Sequence, residues 1–343
     1  MNGLTSLDGF VAGIYRFDLA AVEEAHDLPR EKGIMLRGGF GVALKRSVCA
    51  FPDAVARDCA ACPLQASCVY PRLFRARPRD VSTALDRDPP RPFVIRIPAD
   101  RRRHYRPGDL LSVEIVLIGW ARAYLPYVSM ALADLAEGGL GPLAHRARFA
   151  LRAVWSLDPG GWPPLRLDAG PQTTSPYSVT GADLCRRAAL LPADEVAVTF
   201  LTPTRLITAD QVSPLPPFHV LAGALRRRAL ALAHYHCAAD WPSEPTSFTA
   251  VARHVRHANE QTTWQLRSRR HARRSPEDAK MSMDGLVGTV RYQGDLMPFR
   301  PLLALGELVH VGKHTAFGHG RFRCTPPDPA LDPAAGSGVT KMG

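Results

Sequence analysis

Apolar positions recur along this chain at strand spacing and at helical spacing in turn. Gly9 to Leu19 (GFVAGIYRFDL) has the composition of a strand. Gly33 to Val48 (GIMLRGGFGVALKRSV) reads as a helix despite Gly38, Gly39 and Gly41, which would let another backbone, or an RNA strand, approach closely. Phe93–Ile97 and Leu110–Ile118 are short apolar runs that predict strands. Tyr124–Glu137 is helical up to the Gly138-Gly139 break, and Arg146–Leu157 is again a strand. After a stretch rich in Gly, Pro, Ser and Thr, the order returns. Strand Glu195–Ile207 precedes helix Phe218–Cys237, then come strands near Thr262–Leu266 and at Leu286–Tyr292. Pro298 opens helix Phe299–Val309, and a short strand, Arg321–Cys324, closes the series. Each half reads β-α-β-β-α-β. The pattern predicts an α+β protein of two tandem ferredoxin-like domains, 1–158 and 191–325, joined by a linker at 159–190 and ending in a disordered tail at 326–343.

The first half carries an insertion, residues 49–74, that lacks this periodicity. It holds Cys49-x9-Cys59-x2-Cys62-x5-Cys68, four cysteines within twenty residues. That number of sulfur ligands suits a structural zinc ion, and an iron–sulfur cluster could use the same set. Four thiolates leave no open coordination position, so such a metal would be structural and not catalytic. Cys185, Cys237 and Cys324 are isolated and read as core residues. His234 and His236 flank Tyr235 at a helix end, where packing or capping is the expected role.

Composition adds a partner. Lys and Arg number 43 against 32 Asp and Glu, for a net charge of +11 over 343 residues. A basic balance favours nucleic acid or an anionic surface. Its distribution favours nucleic acid, because between Arg253 and Arg274 seven arginines and three histidines face one acid, Glu260, with Trp264 among them. Arg101-Arg102-Arg103-His104-Tyr105-Arg106 is a second such cluster. Arginine interleaved with aromatic residues can grip phosphates and stack on unpaired bases. The segment MNGLTSLDGF has neither the basic nor the apolar part of a signal peptide, and no run of 18 apolar residues predicts a membrane span. Free thiols or metal ligands, not disulfides, fit the cysteines.

Residues 312–320 form a glycine-rich loop after the last helix. It follows the negative end of a helix dipole, so the usual phosphate-loop geometry does not apply. Anion binding would come from backbone N–H groups freed by the glycines and from Lys313, His314, His319 and Arg321. The alternative is a helix C-cap in which His310 and Lys313 complement the dipole.

Three stretches carry a family resemblance: Leu36-Arg37-Gly38-Gly39-Phe40-Gly41, Cys68-Val69-Tyr70-Pro71-Arg72-Leu73-Phe74, and Trp264 to Phe322, above all YQGDLMPFRPLLALGELVHVGKHTAFGHG. They resemble the RAMP superfamily of CRISPR proteins and, within it, the endoribonuclease that cuts CRISPR precursor RNA at its repeats. The resemblance implies attack of a ribose 2′-hydroxyl on the adjacent phosphate without a catalytic metal, leaving a 2′,3′-cyclic phosphate. It also implies binding of the repeat stem-loop, retention of the mature guide RNA, association with other CRISPR effector subunits, a prokaryotic cytoplasmic location and no membrane partner. Such chemistry needs a base, an acid and cations around the phosphate. The implied catalytic residues are His26, Lys45 and His314. The implied RNA contacts are Arg37, Arg46, Lys313, His319 and Arg321, with Arg267, Arg269, Arg270, Arg273 and Arg274 as a stem clamp. Val42 stands where the family often has a histidine after Gly-Phe-Gly. That departure keeps open a site built on Arg37, Lys45 and Arg46, and also a non-catalytic subunit that only binds guide RNA.

Overall fold

The computed structural model describes residues 7–51, 53, 58–74, 89–97, 101–168, 175–208, 211–241, 245–265 and 283–327. Its first half contains strand β1 (Val11–Ala21), helices α1 (Gly33–Val48) and α2 (Val69–Phe74), strands β2 (Phe93–Arg96) and β3 (Leu110–Ile118), helix α3 (Leu125–Glu137) and strand β4 (Phe149–Leu157). The antiparallel sheet runs β2-β3-β1-β4 and ends on β5 (Leu165–Arg166), while β6 (Val179–Thr180) pairs with the start of β1. β1 therefore has a neighbour on each side, and its side chains alternate between two cores. Tyr15, Phe17 and Leu19 join Leu36, Phe40 and Leu44 of α1 and Val128 and Leu132 of α3. Ala12 and Ile14 point the other way.

The second half holds α4 (Gly181–Ala189), β7 (Glu195–Thr204), the hairpin β8 (Leu206–Thr208) and β9 (Gln211–Ser213), α5 (Phe218–Leu232) and α6 (Pro245–Ala252). It continues with β10 (Arg256–Gln265), β11 (Gly285–Gln293), α7 (Arg300–Val309) and β12 (Phe322–Thr325). Its sheet order is β10-β11-β7-β12. Leaving the added elements aside, both halves follow β-α-β-β-α-β with the first strand inside the sheet, which is the predicted order.

Several boundaries differ from the sequence reading. The strand expected at Glu195–Ile207 breaks at Arg205 into β7 and β8, and the helix expected to reach Cys237 widens into a π turn at Ala233–Cys237. β10 starts at Arg256, so part of the basic segment is strand. The stretch read as linker contains β5, β6 and α4. A reciprocal pair starts α4: Thr180 Oγ1 accepts from the Asp183 N–H at 3.3 Å, and Asp183 Oδ2 accepts from the Thr180 N–H at 2.7 Å. Leu184 and Ala188 of α4 are buried in the second core, and Arg187 makes two bonds to the Glu307 carboxylate at 2.9 and 3.0 Å.

That second core unites the halves. Ala12, Ile14, Val94, Val116 and Ile118 of the first pack in one cluster with Leu221, Leu225, Leu303 and Phe322 of the second. A polar seam lies beside it, where the π turn meets the turn after β3. The Trp120 indole N–H donates to the Tyr235 carbonyl at 3.3 Å, and His236 Nε2–H donates to the Pro90 carbonyl at 2.6 Å. Burial pushes His236 down to about 4. A histidine depressed in the folded state favours folding fully only above its unfolded value, and that stability is lost as pH falls toward the folded value. The His236 share, about 3 kcal/mol, is therefore lost between about pH 6.5 and pH 4. The urea midpoint should fall across this window, and His236→Gln should make the decline shallower. An unchanged slope in that variant would show that the seam does not keep the imidazole neutral.

Candidate nucleic-acid interface and cysteine pocket

The glycine-rich loop is built by closure, not by exposure of its backbone. The N–H groups of Val311, Lys313, Phe317, Gly318, His319 and Gly320 donate to backbone carbonyls, and that of Arg321 donates to Thr202 Oγ1. The expected cradle of free N–H groups is thus largely consumed, and anion binding falls to side chains. The glycines serve close approach instead. A Cβ on Gly320 (φ 73°) would lie 1.8 Å from the Val311 oxygen, and one on Gly318 would lie 2.8 Å from the Ile95 oxygen. The loop thereby seats on β2 of the other domain, where Arg321 Nη1 donates to the Ile97 carbonyl at 3.2 Å. It also meets the start of α1, where a Cβ on Gly33 would come 2.1 Å from the Phe317 oxygen. The close backbone approach expected at Gly38, Gly39 and Gly41 is instead at Gly33: nothing lies within 4 Å of a Cβ on Gly38, and Gly39 and Gly41 face the side chains of Leu135 and Phe74.

Two arginines, one from each domain, cap the end of α7. Arg96 donates to the carbonyls of Glu307 and Leu308 at 3.0 and 3.3 Å, and Arg228 to that of Val309 at 2.9 Å. Burial lowers both guanidiniums to about 10. Lys313, expected to complement the dipole, is exposed. His310 is buried and donates through Nδ1 to the His319 carbonyl at 3.1 Å. Burial, with Arg96 and Arg321 nearby, holds it well below the usual imidazole range.

Of the expected RNA contacts, Arg37 is largely internal. Its guanidinium stacks between the Phe74 and Phe317 rings, 4.9 Å from each centroid, and burial lowers its pKa. His319 is buried at 5% exposure within the loop, where its carbonyl accepts from His310. Arg321 is partly engaged in the interdomain bond described above. Lys313 and Arg46 are exposed, whereas Arg267, Arg269, Arg270, Arg273 and Arg274 lie outside the described residues.

The three catalytic candidates occupy different settings. His314 lies on the loop in a left-handed conformation, its ring 6.0 Å from those of Phe317 and His319. Lys45 is on α1 beyond Gly33, about 18 Å along the axis at 1.5 Å per residue. It is buried, with its ammonium 5.6 Å from the Tyr70 ring centroid. It cannot share a phosphate with groups at the loop end of the helix. His26 lies on the connection before α1 with a neighbour that sequence reasoning missed. Ala25 pairs with Tyr105, and the Leu28 N–H donates to the Arg103 carbonyl at 2.9 Å. These bonds fix the basic loop 101–106 on the His26 connection and bring the His104 ring edge-on to His26, with centroids 5.6 Å apart. Both rings are exposed, and the Glu24 carboxylate lies 3.7 Å from His26 Nε2. Lys32, next to Gly33, ties this loop to the helix start by donating to the Arg102 carbonyl at 2.7 Å.

The four cysteines of the insertion line one pocket between the last turn of α1 and the start of α2, with Lys45, Gln65 and Tyr70 on its walls. Cys59 starts a short 3-10 turn that the Asp58 carboxylate caps, and Cys68 immediately precedes α2. Burial raises the Cys68 thiol, the Tyr70 N–H opposes that rise, and Cys59, Cys49 and Cys62 add to it. All four are free thiols that share a pocket. Among the described residues, no three potential ligands yet stand at metal-binding positions. Cys185, Cys237 and Cys324 belong to or pack against the second core, as expected.

Residues 198–322 match the family model described as CRISPR-associated endoribonuclease Cas6, and residues 10–175 match one described as an N-terminal domain. An uncharacterized protein of Archaeoglobus fulgidus is 24% identical over 300 residues, spanning 87% of this chain and 93% of its own. A Thermus thermophilus Cas6 superposes with a TM-score of 0.51 at 16% identity, over 92% of this chain and 99% of its own. A chain of a partial Cas6-RT-Cas1–Cas2 complex gives 0.55 at 13% identity, over 94% of this chain and 47% of its own. Among the described residues, no helix is long and apolar enough to cross a membrane.

Proposed function

We propose that this chain, whose residues 198–322 match the CRISPR-associated endoribonuclease Cas6 family, cleaves CRISPR repeat RNA at the exposed His26–His104 pair. The His26–His104 pair is the observation that carries this reading. One imidazole takes the proton of the ribose 2′-hydroxyl as that oxygen bonds to phosphorus. The phosphorus–O5′ bond breaks, and the other imidazole, entering protonated, delivers a proton to the leaving O5′. The products are a 2′,3′-cyclic phosphate and a 5′-hydroxyl, and each proton has a protein group to carry it. Arg101 and Arg106, exposed on the same loop, offset charge on the crowded phosphate, aided by the positive end of α1. This step assigns no role to a metal ion.

Lys313 and His314 then serve as contacts to the RNA backbone, and the 267–274 arginines as a clamp on the repeat stem. The net charge of +11 supports slow release of the guide RNA. A cytoplasmic setting and association with other CRISPR proteins follow from this role; a Cas6-like chain is part of the Cas6-RT-Cas1–Cas2 complex. The test is the chemistry of the product ends. A cyclic phosphate on the upstream fragment and a free hydroxyl on the downstream one support the mechanism, whereas a 5′-phosphate would refute it. Val42, exposed on α1 where the resemblance places a histidine, favours a second reading as a guide-RNA-binding subunit. Tight binding of the cognate repeat with no cleavage would establish that alternative.

A further inference from the structure

We propose that Cys49, Cys59, Cys62 and Cys68 bind one zinc ion as a tetrathiolate, and that this ion anchors α2 so that Phe74 holds Arg37 against the glycine-rich loop. The donor set contains only sulfur, matches the ligand number of zinc and includes a C-x-x-C step at a capped turn. Lys45 supplies a second and independent feature. It is 8% exposed on the wall of the same pocket. Four thiolates around a divalent ion carry a net double negative charge, which a buried ammonium on the same wall offsets. Because the thiols already share the pocket, convergence on one ion needs adjustment of a short loop and not of the fold.

A continuous set of ring contacts leads from this pocket to the loop. Cys68 adjoins α2, which has only six residues and is too short to be stable by itself. Tyr70 and Phe74 stack within it at 5.3 Å and 10°. Phe74 then faces the Arg37 guanidinium, whose other side faces Phe317. Arg37 is thus a positioning residue: it touches the loop, and the zinc site acts on the loop through it. The metal assignment stands apart from the nuclease reading, while any effect on RNA binding rests on that reading.

The test uses the full chain purified without added metal and measures metal content and hydrogen exchange, with no RNA present. The expected result is about one zinc per chain, lost in Cys59→Ser/Cys62→Ser. In that variant, amide exchange in residues 69–74 and 312–320 should rise roughly tenfold while β7 is unchanged. Arg37→Lys should keep its zinc and speed exchange in 312–320, because an ammonium cannot stack on two rings as a guanidinium does. Should the double variant fail to fold, the wild-type chain stripped with a strong chelator gives the same comparison. Absence of stoichiometric metal, stoichiometric zinc retained by the double variant, or iron with visible thiolate absorption would overturn the zinc assignment. Unchanged loop exchange in both the metal-free and the Arg37→Lys proteins would overturn the link to the loop. Neither failure touches cleavage by the histidine pair.

Discussion

Replacing either His26 or His104 by alanine should slow single-turnover cleavage of the cognate repeat by about a hundredfold or more, while changing RNA affinity by less than about threefold. The size of the effect follows from the division of labour. A base without its acid leaves the O5′ alkoxide to depart unprotonated, and an acid without its base leaves a weak nucleophile. Because the two act on one transition state, the double variant should be little slower than the worse single variant. Affinity is spared because the phosphate grip is spread over arginines and lysines elsewhere on the surface. Loss of rate together with loss of binding would instead make the pair an RNA contact. Normal rates in both single variants would remove it from the chemistry.

Gly320→Ala should cost about 3 kcal/mol or more of stability and disrupt RNA binding with it. At φ 73° an L-residue is strained, and the new Cβ would lie 1.8 Å from the Val311 oxygen. Relief is not local. The Val311 N–H donates to the Gly320 carbonyl at 3.0 Å and the Gly320 N–H to that of Pro203 at 3.1 Å, so moving Gly320 opens the loop and its attachment to β7. Gly38→Ala is the control: nothing lies within 4 Å of its Cβ position inside α1, and helix propensity should make that change stabilising by about 0.5–1 kcal/mol. Urea unfolding of the two variants measures both numbers. A Gly320→Ala protein as stable as its parent would contradict the closed-loop description.

Local pattern revealed α1 well, because Leu36, Phe40, Ala43 and Leu44 repeat on one face and settle the helix in spite of its glycines. The repeated strand and helix order was legible for the same reason. The Thr180-x-x-Asp183 cap of α4 was also present in the sequence but sat in a stretch whose Gly and Pro content suggested a linker. Arg37 shows a different limit. Its charge suggests phosphate, and its aromatic partners, Phe74 and Phe317, come from distant parts of the chain. His104 looked like one member of an arginine cluster, and only the pairing of Ala25 with Tyr105 sets it beside His26. Helical rise separates Lys45 from the start of α1, but only the fold shows that the glycine-rich loop meets that start at Gly33. The cysteine spacing suggested a common site, and the pocket brings those four residues together.

The most direct measurement is single-turnover cleavage of the cognate repeat RNA with magnesium chelated, beside a copy carrying one deoxyribose at the cut site. The account predicts that the RNA is cut, and that the deoxy copy binds equally well and stays intact, since it lacks the attacking oxygen. Cleavage of the deoxy copy, or RNA cleavage that stops on chelation and returns with magnesium, would contradict it.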